Sequence, residues 1–129
     1  MEPKLYIIMR RDLWDMNPGK GMAQAAHAQA DFGAYQSSLV NKDGDEFWRA
    51  MSAWRENREF GVTLVLHEPL GVMNRIQERV VHTGMTVDPT YPYRNHYGEL
   101  FVSNEVTCMW AFAYTEEELE YMRQWRLHQ

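Results

Sequence analysis

The sequence predicts an α/β fold: a three-layer α/β/α sandwich around a mixed sheet of about four strands. Three observations carry this. Short apolar runs alternate with longer helical patterns in the order βα(α)βαββα. The first run, LYIIM, empties through a turn holding Asn17, Pro18 and Gly19 into a helix. The chain's 129 residues suffice for one core without staples. No repeat, low-complexity tract or linker divides it, so residues 1–129 read as a single domain.

Residues 4–10 are short, apolar and partly β-branched, as a buried strand requires. Residues 19–37 follow as a helix stopping near Ser37 and Ser38. Ala23, Ala26, Ala30 and Ala34 share a helical stripe, expected to let the helix sit close to the sheet. Asn41-Lys42-Asp43-Gly44 is turn chemistry. Asp43 or Asp45 is expected to cap a second helix over 45–57, with Phe47, Met51 and Trp54 on one face. Residues 61–67 form a second strand. Glu68-Pro69 opens a helix to about residue 82, which Gly84 is expected to stop. Residues 85–88 make a short strand, 89–104 a long loop or hairpin and 105–114 a last strand. Thr115 with Glu118 is a capping-box pattern for a final helix, with Leu119 and Met122 turned inward.

The formal net charge is −5 and the pI about 5.5, which argues against indiscriminate RNA binding. A local basic patch from Lys4, Arg10, Arg11 and Lys20 around the first strand stays open. The single Cys108, within VTCMWAFA, excludes an intrachain disulfide framework and fits a buried strand thiol in a reducing compartment. No apolar run approaches the ~20 residues of a membrane span. Asp12 and the arginines interrupt the N-terminal apolar run, so a secretory leader is not expected and a cytoplasmic setting is. His27, His67, His82, His96 and His128 show no metal-ligand spacing, so no metal is expected. Gly19-Lys20-Gly21-Met22 lacks the spacing and hydroxyl of a P-loop, and no Gly-x-Ser-x-Gly elbow exists.

The chemistry concentrates at residues 10–31. A helix N-terminus after a Gly/Pro turn favours an anion through its N–H groups and dipole, and Lys20 adds a full charge there. Lys20, Gln24, His27 and Asp31 form one stripe on that helix, expected to face a cleft at one end of the sheet. The plainer alternative is an exposed first-turn lysine and a hydrogen-bonded histidine. A second candidate is DPTYPYRNHYG at 88–98. There Tyr91, Tyr93 and Tyr97 offer π-faces and Arg94, Asn95 and His96 offer hydrogen bonds, a combination that holds unpaired bases. A Tyr/Pro-rich surface loop over a sheet edge is the alternative.

Arg10-Arg11-Asp12-Leu13, Met16, Gly19-Lys20 and Gln24-Ala25-Ala26-His27-Ala28 resemble, in order, the opening signature of the second peptidyl-tRNA hydrolase family. That family reads Arg-x-Asp-Leu, Met, Gly-Lys and Gln-x-x-His-Ala after an apolar strand; here the segment between Leu13 and Met16 holds an extra residue. Tyr35 matches an aromatic of the family's first helix. Gly61 to Leu66 resembles its second strand, His82-Thr83-Gly84-Met85 the end of its next helix, and Val106 to Ala111 its last strand, with Thr107 at the family's Thr. One motif departs: the family's Asp-Ala-Gly-x-Thr is absent, and Asp88 is the sole Asp of the segment that replaces it.

The resemblance implies hydrolysis of the ester between a peptide and tRNA, with no cofactor, and a homodimer. The family's catalytic pair is a Lys and an Asp: the Lys falls on Lys20 and Asp88 is the candidate for the Asp, with His27 expected beside them as a supporting catalytic residue. The residues expected to bind the substrate are Gly19, Gln24, Arg10, Arg11, Asp12 and Thr107, joined by the loop residues Tyr91, Tyr93 and Arg94. The departure supports an alternative, a degenerate member binding a small nucleotide or RNA end through the Gly-Lys turn and the 88–104 loop. A protein-binding adaptor is a third reading, which requires exposed indoles at Trp48, Trp54 and Trp125.

Overall fold

The computed structural model describes residues 2–13, 17–38, 45–57, 61–94 and 96–125. Met16, the 41–44 turn, Asn95, His128 and the side chains of Asp45 and Tyr93 lie outside the described residues. The chain runs β1 (Lys4–Arg10), α1 (Pro18–Ser38), α2 (Asp45–Glu56), β2 (Thr63–Glu68), α3 (Leu70–Arg79), β3 (His82–Arg94), β4 (Leu100–Ala113) and α4 (Glu116–Met122). This is the expected order. The four strands form one mixed sheet ordered β2-β1-β4-β3. β1 and β2 are parallel, and β4 is antiparallel to both β1 and β3.

β1 lies between two helical layers, which is why its sequence is a continuous apolar run. Leu5, Ile7 and Met9 point to one side and pack with Phe32 of α1, Phe47, Met51 and Trp54 of α2, and Trp110 and Phe112 of β4. Tyr6 and Ile8 point to the other side, among Val72, Met73 and Ile76 of α3 and Leu119 and Met122 of α4. Each fully buried side chain of this size stabilises the fold by about 1.5–3 kcal/mol.

Asn17 starts α1. Its Oδ1 accepts from the Lys20 backbone N–H at 2.9 Å, its carbonyl accepts from Gly21 at 2.8 Å, and Pro18 occupies the first helical position. The sheet-facing side of α1 is Gln24, Ala28, Phe32 and Gln36, not the alanine stripe: Ala23, Ala26, Ala30 and Ala34 are exposed. The two sets lie on opposite sides of a 3.6-residue helix. Burying the ring of Phe32, tilted against Trp110 at 4.9 Å and stacked with Phe112 at 5.6 Å, outweighs the alanine methyls.

α3 begins after Pro69 and ends at Arg79, short of residue 82. Gly84 does not stop it; Gly84 is inside β3, paired with Trp110. A Cβ there would lie 2.4 Å from the indole Nε1, so the glycine gives the ring its space. Residues 89–104 form a long hairpin whose arms are the outer parts of β3 and β4, so the short strand expected at 85–88 extends in both directions. At α4 the capping box is present: Thr115 Oγ1 accepts from Glu118 N at 3.1 Å, and Glu118 Oε1 accepts from Thr115 N at 3.4 Å.

Trp54 is buried and donates to the Val62 carbonyl at 2.8 Å. Trp48 and Trp125 are half-buried and packed on the two cores. The exposed indoles that the adaptor reading requires are not there.

Candidate active site

The polar stripe of α1 runs along β3. Lys20 Nζ donates to the Pro92 carbonyl at 2.8 Å and stands 5.3 Å from the centre of the Tyr91 ring. One turn on, Gln24 is 4% exposed and works at both ends. Its Nε2 donates to Asp88 Oδ2 at 2.8 Å, and its Oε1 accepts the Thr107 hydroxyl at 2.6 Å. Two turns further, Asp31 accepts from the Thr86 hydroxyl at 2.8 Å. His27 is solvent-exposed, and its charge reaches the Asp88 carboxylate. Beneath Gln24, the Cys108 thiol donates to the Gln24 carbonyl at 3.0 Å. Burial pushes that thiol up to about 11.

Asp88 owes its place to an irregularity in the ladder. Asp88 pairs with Glu105, and the next pair is Tyr91 with Ser103, so Pro89 and Thr90 bulge out. Thr90 turns back on the carboxylate: its backbone N–H reaches Oδ1 at 2.9 Å and its hydroxyl reaches the same oxygen at 3.2 Å. The Thr90 N–H is the largest influence on Asp88 and lowers its pKa; partial burial opposes this, and the Gln24 and Thr90 side chains and His27 reinforce it. Asp88 is therefore a firmly held anion.

Arg10 closes the strand end beside this group. Its Nε donates to Asp12 at 2.9 Å, and its Nη1 donates to the Val106 carbonyl at 3.0 Å and to Glu105 at 3.3 Å. Asp12 also accepts from the Leu70 N–H at 3.2 Å, tying the end of β1 to α3. Burial would raise the Asp12 carboxyl, but the Arg10 hydrogen bond and charge, with the Leu70 N–H, leave it below its ordinary value. Lys4 stands at the far end of β1 from Arg10, on the order of 20 Å away, so Lys4 does not join Arg10 in a basic patch.

The structure thus brings Gln24, His27, Asp88 and, through Gln24, Thr107 to one place; Lys20, one turn before Gln24, meets β3 at Pro92, four residues beyond Asp88. Thr107 is fully buried and reaches the site only by way of Gln24. Tyr91 is 1% exposed, so it offers no open face for a base; its ring lies under Lys20. Arg94 is exposed and donates to the Gly98 carbonyl near the hairpin tip. Arg11 and Gly19 are exposed near the two ends of the β1–α1 passage. Thr90 and the Pro92 carbonyl escaped the sequence reading. Asp88-Pro89-Thr90 did carry a signal, since Asp side chains commonly bond the backbone two residues on. Among the described residues no three His, Cys, Asp or Glu side chains converge as a metal set. No helix among them is long and apolar enough to cross a membrane.

Fold and site define a class: an α/β sandwich whose first strand empties into a helix carrying a lysine, with a carboxylate held beside that helix. The family model for peptidyl-tRNA hydrolase PTH2 matches residues 3–91, more than half of the chain, and the chain belongs to that family. The family supports a peptidyl-tRNA hydrolase-like function in general, with peptidyl-tRNA as the substrate class. No curated protein matches the chain. The match ends at Tyr91, just past the Asp88 bulge, so β4 and its Thr107 lie outside it.

Proposed function

We propose that this chain hydrolyses the ester joining a peptide to the 3′ ribose oxygen of tRNA. One observation carries the reading: α1 lays Lys20 and Gln24 along one stretch of β3, Gln24 bonding Asp88 and Lys20 the Pro92 carbonyl four residues further on. In this reading the Lys20 ammonium and the first N–H of α1, that of Gly19, stabilise the oxyanion that develops on the ester carbonyl. Asp88 orients the attacking water and accepts its proton as the water oxygen bonds to the carbonyl carbon. The bond from carbon to the ribose oxygen then breaks, that oxygen takes the proton, and the peptide leaves as a carboxylate with one proton released. His27 supports the Asp88 anion, and Gln24, itself oriented by Thr107, positions it. Arg10, Arg11 and Asp12 at the strand end and Tyr93 and Arg94 on the hairpin are the surroundings in which the RNA end is bound, while the buried Tyr91 ring lies under Lys20 and takes no base. A homodimer in the cytoplasm completes the proposal.

The test is release of a labelled, N-blocked amino acid or peptide from tRNA by the full chain. Wild type is expected to turn over. Lys20→Ala is expected to fall on the order of 100-fold or more with the fold intact. Asp88→Asn is expected to abolish release while retaining tRNA binding. A wild type that folds, binds tRNA and releases nothing refutes the reading. The missing Asp-Ala-Gly-x-Thr favours a second reading, binding of a nucleotide or RNA end without hydrolysis. It replaces the first if wild type is inactive and Lys20→Ala or an Arg94 substitution weakens nucleotide binding.

A further inference from the structure

We propose that Thr90 is a positioning residue for the Asp88 carboxylate, fixing which of its two oxygens faces the reacting water. The proposal rests on the hydrolase reading. A carboxylate on a hairpin turns easily about its last torsion, whose rotamer wells are broad. Asp88 is pinned instead by donors from two elements. Oδ1 receives the Thr90 N–H at 2.9 Å and the Thr90 hydroxyl at 3.2 Å, which together fill its lone-pair directions. Oδ2 receives Gln24 Nε2 at 2.8 Å and, among the described residues, nothing else. The one direction left on the carboxylate is on Oδ2, the oxygen that α1 holds through Gln24. Water is therefore held by Oδ2, and Oδ1 is the anchor.

The bulge makes this possible. The register shift between Asp88 and Tyr91 takes Thr90 out of the ladder with β4, so its N–H is available to turn inward. Pro89 precedes it, a residue with no N–H to lose, placed where strands tolerate proline. Thr90 is exposed, so its hydroxyl holds no core together and its removal leaves the packing intact. Of the charged and titratable groups that face this stretch of β3, His27 of α1 acts on the Asp88 charge and Glu105 stands opposite it on β4, while Asp31 of α1 is held by Thr86 and Lys20 by Pro92. Arg10 of β1 holds Glu105.

Thr90→Val keeps the branched shape and removes the hydroxyl; Thr90→Ser keeps the hydroxyl. With labelled peptidyl-tRNA, Thr90→Val is expected to lower kcat on the order of ten-fold, the effect of one hydrogen bond to a charged group, with KM little changed. The acid limb of its kcat profile moves to higher pH, and Thr90→Ser restores both rate and limb. Carbon-13 NMR titration of the Asp88 carboxyl, which needs no turnover, is expected to show the same upward movement in Thr90→Val and its reversal in Thr90→Ser. Wild type active with rate, limb and NMR midpoint unchanged in Thr90→Val overturns the proposal. A moved NMR midpoint with an unchanged rate also overturns it, because the contact then does not serve the reaction. Wild type without turnover overturns the hydrolase reading itself, and the positioning role falls with it.

Discussion

Gln24→Leu cuts the central bridge of the site, and its cost follows from the geometry. Leucine keeps the bulk of the side chain and loses both the bond to Asp88 at 2.8 Å and the bond from Thr107 at 2.6 Å. A hydrogen bond to a charged group contributes about 1.5–3 kcal/mol, and a buried hydroxyl left without a partner costs about 1–3 kcal/mol. Asp88 is partly open and can turn to water, so its loss lies at the low end. Thr107 is 0% exposed and has no such recourse. The expected destabilisation is about 2–4 kcal/mol. Thr107→Val alone strands the Gln24 oxygen and costs about 1–2 kcal/mol. The double variant strands neither group, so it is more stable than the sum of the singles allows, by about 1–2 kcal/mol. Urea unfolding of the four proteins at neutral pH, read at constant m, measures this coupling. Strict additivity refutes the bridge. The same variant has a pH signature. The Asp88 pKa is lowered in the folded state, so its stabilisation is present above the unfolded-state value and lost as pH falls through the folded one. Gln24→Leu removes one cause of the lowering, so the gap to wild type narrows as pH drops below the ordinary carboxylate range.

Gly84→Ala forces a methyl to within 2.4 Å of the Trp110 Nε1, in a ring also packed against Tyr35 at 4.7 Å, and is expected to cost about 1–3 kcal/mol with a changed near-ultraviolet tryptophan signal; an unchanged unfolding midpoint counts against the close approach. Cys108, fully buried with its thiol at about 11, is expected to resist a thiol reagent in the native state at mildly alkaline pH and to react fully in denaturant. Fast native labelling shows that the thiol is not where the structure puts it.

The β1–α1 half of the molecule was legible because its signals are local. An apolar run, a Gly/Pro turn and a polar stripe at helical spacing need no distant partner to be read, and the stripe does run along β3. The other half depends on pairing between segments far apart in the chain. Gly84, Asp88, Pro89 and Pro92 are poor strand formers, and their clustering reads as a helix stop followed by a loop. They form a strand because β3 is an edge, where proline is tolerated, and because Trp110 and the bulge supply a reason for each exception. The alanine stripe misled for a related reason. Small residues permit close packing, but the side that buries the most area decides, and on α1 that side carries Phe32. The same competition explains Gln24, a polar residue on the sheet-facing side. Its burial is tolerated only because Asp88 and Thr107 satisfy both ends of its amide, and those partners lie 64 and 83 residues away in sequence. Spacing against the family's motif could not place Asp88. Gln24 does so physically: a buried amide N–H needs an acceptor, and the bulge at Pro89 and Thr90 turns one toward it.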